Sequence, residues 1–267
     1  MKRKLKIEIG LAVLLLLIAL FGSFLAPYDP LKVNYDFSLQ PPSFLHIFGT
    51  DKLGRDVFSR ILCGAKTSFG LTFLMLFLIV FIGMIVGLIA GLSNDKVESF
   101  FNNIINGLLA FPDTIFAIAI VGIVGAGLFN TVFALALIWW TKYARLTLAL
   151  VKQEKKKNYL VISKMSGVPP LQRIIRYLLP NILSQILVTA FLDIGNMMIS
   201  LAGLSFLGLA SQPPQPEWGA MLTAANQYMV DHPHMVVFPG IAIALIVLSL
   251  NLLGDGLRDA LDPKLKK

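Results

Sequence analysis

Apolar positions along this chain come in long unbroken runs, and the polar positions are gathered between them. A helix needs about 20 apolar residues to cross the hydrocarbon core of a bilayer. On that criterion the pattern predicts spans over residues 7–26, 68–92, 107–126, 181–207 and 236–253. The second lies in a charge-free stretch from Thr67 to Asn94, and the third carries Pro112 and Asp113 near its start. Gly125, Gly127 and Asn130 mark a tight turn after the third. One further helix begins near Phe129 but stays uncharged only to Thr141, about 13 residues, which is short for a span. Either it is short, or it continues past Lys142 and Arg145 to Leu150 with those side chains snorkelling. Trp139 and Trp140 beside Lys142 fit an interfacial belt.

The pattern therefore predicts an all-α polytopic membrane bundle of six transmembrane helices. Positive charge supplies the orientation. Lysine and arginine concentrate before the first run, between Lys142 and Arg176 and at the C-terminus, and only five of the 23 fall on the opposite side, in the segment up to and including Lys66. The positive-inside rule then places both termini inside. Composition agrees: 56% of residues are apolar and only 14% charged, against roughly a quarter in soluble domains. The net charge of +8 reads as topology control and attraction to membrane lipid, not as nucleic-acid binding. The first run reads as a retained helix, because Phe24-Leu25-Ala26 has a bulky residue where a signal cleavage site wants a small one. Residues 1–66 form the N-terminal helix plus an external segment. Residues 67–267 form the core domain, with an inside loop at 152–180.

Chemistry is sparse. Cys63 is the single cysteine, so no internal disulfide and no Cys-rich metal site is available. Gly64-Ala65-Lys66-Thr67 lacks the second glycine of a phosphate-binding loop, so the chain binds no ATP of its own. No catalytic constellation and no metal site is predicted. His232 and His234 flank Pro233, but two imidazoles make a poor site, and a polar loop entering the last helix is the preferred reading. Asp51, Arg55, Asp56 and Arg60 have helical spacing and predict a salt-bridged amphipathic helix on the outer surface. Trp218 reads as an interfacial anchor. Gly83, Gly87 and Gly91, four apart, predict close helix packing within the chain rather than a dimer seam.

Two features stand out. Asp193 falls near the centre of the fifth span, where a charge costs roughly 2.5–3.5 kcal/mol on insertion scales. With Asn196 three residues on, it is either part of a polar pathway wall or a hydrogen-bonded acid that packs helices together. The inside loop carries the run Lys155-Lys156-Lys157, then Gly167 with Pro169 and Pro170, then Ile174, Ile175 and Leu178 before Pro180. This describes a helix–turn–helix protruding from the bundle.

That loop resembles the signature of the inner-membrane permeases of binding-protein-dependent ABC importers. The signature reads Glu-Ala-Ala, three residues, Gly, nine residues, Ile, one residue, Leu-Pro. Gly167 and Leu179-Pro180 match it, whereas Val161, Ile162 and Ser163 stand at Glu-Ala-Ala and Tyr177 at the isoleucine. Residues 48–66 (FGTDKLGRDVFSRILCGAK), 204–221 (LSFLGLASQPPQPEWGAM), 252–263 (LLGDGLRDALDP) and Phe111-Pro112 resemble the dipeptide, oligopeptide and nickel subfamily, in particular its second permease. The resemblance implies a transport subunit for small peptides or nickel and other metal-chelate complexes, without catalysis or cofactor of its own. It implies a second homologous permease, two cytoplasmic ATPases that use the ATP, and a solute-binding protein outside. It makes Tyr159, Ser163, Lys164, Gly167, Leu179 and Pro180 part of an ATPase-coupling element. The subfamily commonly carries an acid just before the Leu-Ser-Phe-Leu-Gly run, where this chain has Leu201; Asp193 lies two turns earlier.

Overall fold

The computed structural model describes residues 2–210 and 214–261. Among them the regular elements are helical. The principal ones are α1 (Lys2–Leu25), α2 (Val57–Leu92), α3 (Asp95–Leu109), α4 (Asp113–Val124), α5 (Leu128–Lys155), α6 (Asn158–Met165), α7 (Pro170–Arg173), α8 (Leu179–Phe206), α9 (Trp218–Ala225) and α10 (His234–Leu261). A π-helical turn, Ile174–Leu178, joins α7 to α8. Helices suit a bilayer because they satisfy their own backbone polar groups where water is absent.

Five helical segments are individually long and apolar enough to cross, and the bent pair α3–α4 is a sixth candidate. Packing decides its role. The Lys155 ammonium at the end of α5 donates to the Gly91 carbonyl at the end of α2, 3.0 Å away. The two C-terminal ends therefore share one membrane face. At the other end of α5, the Gly127 N–H and the Thr131 hydroxyl both donate to the Leu209 carbonyl just past α8. A chain that leaves α2 on one face and enters α5 from the other must return across between them, and α3–α4 is all that lies there. Counting that pair as one return gives six candidate crossings by length and composition.

The predicted helix at 107–126 is thus two helices meeting at 88°. Pro112 has no N–H to donate and holds its predecessor out of the helical region, so the chain breaks over residues 110–112. Helix α5 resolves the other ambiguity, since it runs unbroken for 28 residues past Lys142 and Arg145. Lys142 lies midway along it, so it neither snorkels to an end nor belongs to a belt with Trp139 and Trp140.

Helix α2 is 36 residues long and starts at Val57 instead of residue 68, because the Asp56 carboxylate caps it through the Ser59 N–H at 2.7 Å. Its glycines form a seam with α5. A Cβ on Gly83 would lie 2.7 Å from the Trp140 carbonyl, and one on Gly87 would lie 2.6 Å from that of Ala144. The spacing serves packing within the chain.

The segment between α1 and α2 corrects the expected amphipathic surface helix. Asp51, Arg55, Asp56 and Arg60 are all buried. Asp51 accepts from the Leu53 and Arg55 N–H groups and from Arg55 Nε at 2.7 Å, while His46 Nδ1 lies 2.9 Å from Asp56. These charges lock a loop before the helix cap; only Arg60 lies on α2 proper, and it donates back to the Pro30 carbonyl. His234 is likewise structural: its ring sits against Gly49, with Nε2 3.3 Å from the Thr50 carbonyl. Trp218 is 2% exposed and donates from Nε1 to the Ile61 carbonyl, so it is a core residue and not an interfacial anchor.

Candidate functional site

Helices α5 and α8 run antiparallel, which brings the middle of one beside the middle of the other. Asp193 is buried on α8, with both carboxylate oxygens 2.7 Å from the Lys142 ammonium and Oδ2 2.9 Å from the Tyr143 hydroxyl that donates to it. Two adjacent residues of α5 thus hold one acid. Tyr143 is fully buried and anchors the carboxylate from the core side. The Lys142 side chain is 52% exposed and faces a cleft of about 350 Å3. Leu109, Phe111 and Asp113 at the α3–α4 break, Trp139 of α5 and Asn196 of α8 complete its wall. Below it on α5, Arg145 is hydrogen-bonded to Asn106 of α3. The face of α5 and α8 around this cleft is therefore polar at mid-membrane depth.

The second constellation is the loop after α5. Helix α6 ends in a Schellman motif: the Val168 N–H bonds the Ser163 carbonyl and the Gly167 N–H that of Lys164. Gly167 sits at φ +73° with open space around its missing Cβ, so the backbone conformation, not room, calls for glycine. Pro170 then starts α7 as its first residue, where a missing N–H is harmless. Glu154, buried at the end of α5, accepts from the Lys157 ammonium at 2.6 Å and from the Tyr159 hydroxyl. Burial first, then the hydrogen bond and charge of Glu154, push the Tyr159 phenol up to about 12, so it is a neutral donor at physiological pH. The Ser163 hydroxyl folds back onto the Leu160 carbonyl. Ile162, Met165 and Leu171 are 60%, 83% and 67% exposed on the outer side of this rigid turn.

Residues 83–267 match the family described as the binding-protein-dependent transport system inner membrane component. The chain belongs to this family of ABC-importer permeases. Residues 9–42 match the N-terminal transmembrane domain of oligopeptide transport permease C. The permease is 42% identical over 265 residues to the di/tripeptide transport system permease protein DppC of Pseudomonas aeruginosa, covering 96% of this chain and 88% of that one. It is 44% identical over 255 residues to the glutathione transport system permease protein GsiD of Shigella flexneri, covering 95% and 84%. It is a multi-pass protein of the cytoplasmic membrane.

In this permease Asp193 and Asn196 both reach the cleft, but Asp193 is not alone. Lys142 and Tyr143 were missed as its partners, although the signal was present: an acid in mid-bilayer needs a counter-charge, and Lys142 was the cation on a neighbouring span. Tyr159, Ser163, Lys164 and Gly167 fall together on or beside α6, while Leu179 and Pro180 open α8 after the π-helical turn. Where the family signature has Glu-Ala-Ala, Val161 and Ile162 are exposed and Ser163 is buried.

Proposed function

We propose that this permease is one of two homologous subunits that line the import pathway for short peptides, with the Lys142–Asp193 cleft in its wall. The observation that carries the reading is the half-exposed Lys142 ammonium midway along a span, held by a buried acid. Such a charge is unstable against acyl chains and belongs at a bundle interior or an aqueous path. The second permease closes over the α3–α4 side, with Asp193 and Asn196 facing the path between the two subunits. Peptides are favoured as cargo because two similar proteins are named for di/tripeptides and for glutathione, itself a tripeptide.

Two ABC ATPases dock from the inside, one on each permease, and in this chain on the turn built from Tyr159, Ser163, Lys164 and Gly167, against the exposed Ile162, Met165 and Leu171. Leu179 and Pro180 pass the motion into α8. A short helix bounded by fixed turns transmits a rigid-body displacement. ATP is used by those partners, this chain binds no cofactor, and a solute-binding protein delivers cargo at the external segment before α2. The test is uptake in a strain lacking the gene and complemented with it, comparing labelled di- and tripeptides with nickel, cobalt and zinc chelates. Restored peptide uptake is expected. Restored metal-chelate uptake with no peptide uptake would overturn the assignment of cargo.

A further inference from the structure

A groove of about 560 Å3 lies on the basic face, between the C-terminal ends of α2 and α5 and the inner side of α6–α7. Its wall combines Lys155, Lys164 and Arg173 with Leu92, Ile174 and Leu178, and none of its lining residues is acidic. Among the described residues, some basic side chains of this region are paired and others, Lys156 and Arg176 outside the groove included, are not. Lys152 pairs with Glu98, Lys155 donates to the Gly91 carbonyl and Lys157 pairs with Glu154. The Lys164 ammonium and the Arg173 guanidinium have no ion pair or side-chain hydrogen bond among the described residues, and both residues line the groove. Its apolar wall sits at helix ends: Leu92 closes α2 before polar Ser93 and Asn94, and Leu178 immediately precedes α8. Unpartnered cations beside an apolar wall match a lipid phosphate joined to its glycerol and acyl chains.

We propose that this groove is a binding site for the phosphate headgroup of an anionic phospholipid. Arg173 and Lys164 take the phosphate oxygens, the guanidinium offering paired donors and the ammonium a point charge. Lys155 adds positive field from the end of α5, and Leu92, Ile174 and Leu178 receive the upper acyl segment. The site is separate from the outer side of the turn. At 100° per residue, Leu160 and Lys164 lie about 100–200° around α6 from Ile162 and Met165, with Val161 at the border between the two faces. One face of the turn is thereby left for a protein partner while the other is fastened to the membrane.

The full chain in neutral detergent is titrated with dioctanoyl phosphatidylglycerol, dioctanoyl phosphatidylcholine and inorganic phosphate, and bound lipid is read by native mass spectrometry. Saturable binding of one phosphatidylglycerol is expected, with little phosphatidylcholine retained. Each cation near an anionic headgroup is worth about fivefold, so Lys164→Gln with Arg173→Gln should weaken phosphatidylglycerol about thirtyfold. Arg173→Lys, which keeps the charge, should lose far less. Should the double variant not fold, each single glutamine variant is read the same way, with about a fivefold loss expected. Equal binding of the two lipids overturns the proposal, and displacement by inorganic phosphate at equal concentration makes the site one for the free anion instead. Unchanged phosphatidylglycerol affinity in the variants assigns these cations elsewhere and also overturns it.

Discussion

Lys142 and Asp193 lie on separate spans, and each would be costly in the bilayer without the other. Removing one partner leaves the other uncompensated, whereas replacing both with apolar groups is often near neutral for stability. That asymmetry separates a structural role from a transport role. Asp193→Leu is expected to lower the amount of folded permease in the membrane, with a cost of about 2.5–3.5 kcal/mol for the orphaned ammonium. The double variant Lys142→Met/Asp193→Leu is expected to recover folded protein, measured by immunoblot and detergent melting, but not peptide uptake. Full uptake by the double variant would reduce the pair to a helix clamp. Asp193 was conspicuous in the sequence because a lone acid interrupts an apolar run. Its partners were not, because whether Lys142 lay inside a span or beyond its end depended on the limits of α5.

The elements that were legible are those whose signal is length. Apolar runs near residues 7–26, 181–207 and 236–253 became α1, α8 and α10, with α8 shifted by two residues or fewer, α1 starting five residues earlier and α10 running on eight residues to Leu261. Elements set by a single residue or by a neighbour were less so. Pro112 turned one expected span into two helices, and the Asp56 cap carried α2 outward through Arg60 and Lys66 into a run of mixed polarity. The turn after α5 was readable because Gly167, Pro169 and Pro170 punctuate it chemically. Its rigidity yields a prediction at this scale. Gly167→Val puts a branched residue in the left-handed region, at a cost of roughly 1–2 kcal/mol to the end of α6. With partner ATPases reconstituted, substrate-stimulated ATP hydrolysis should fall several-fold while basal hydrolysis by the ATPases is retained. Undiminished stimulation would show that the α6–α7 turn does not carry the coupling.

At the scale of the molecule, hydrogen bonds at the two ends of α5 argue for an even number of crossings, and the positive-inside rule predicts their direction. The Lys155–Gly91 contact joins the ends of α2 and α5 on the face that also holds the basic loop. The Gly127 and Thr131 contacts to Leu209 join the start of α5 to the end of α8 on the other. Helix α4 has 12 residues, about 18 Å at 1.5 Å per residue, and cannot alone cover a core of about 30 Å. The polar α3 must carry the chain through the interface, and α4 must complete the return. The positive-inside rule predicts Ser93 and Lys156 on the cytoplasmic side and Phe129 on the external side. In a Cys63→Ala background, Phe129→Cys should react with a membrane-impermeant maleimide in intact cells. Ser93→Cys and Lys156→Cys should react only after permeabilisation. Labelling of Ser93→Cys and Phe129→Cys from the same side would show that α3–α4 re-enters without crossing, and the bundle would then have five spans with its termini on opposite faces.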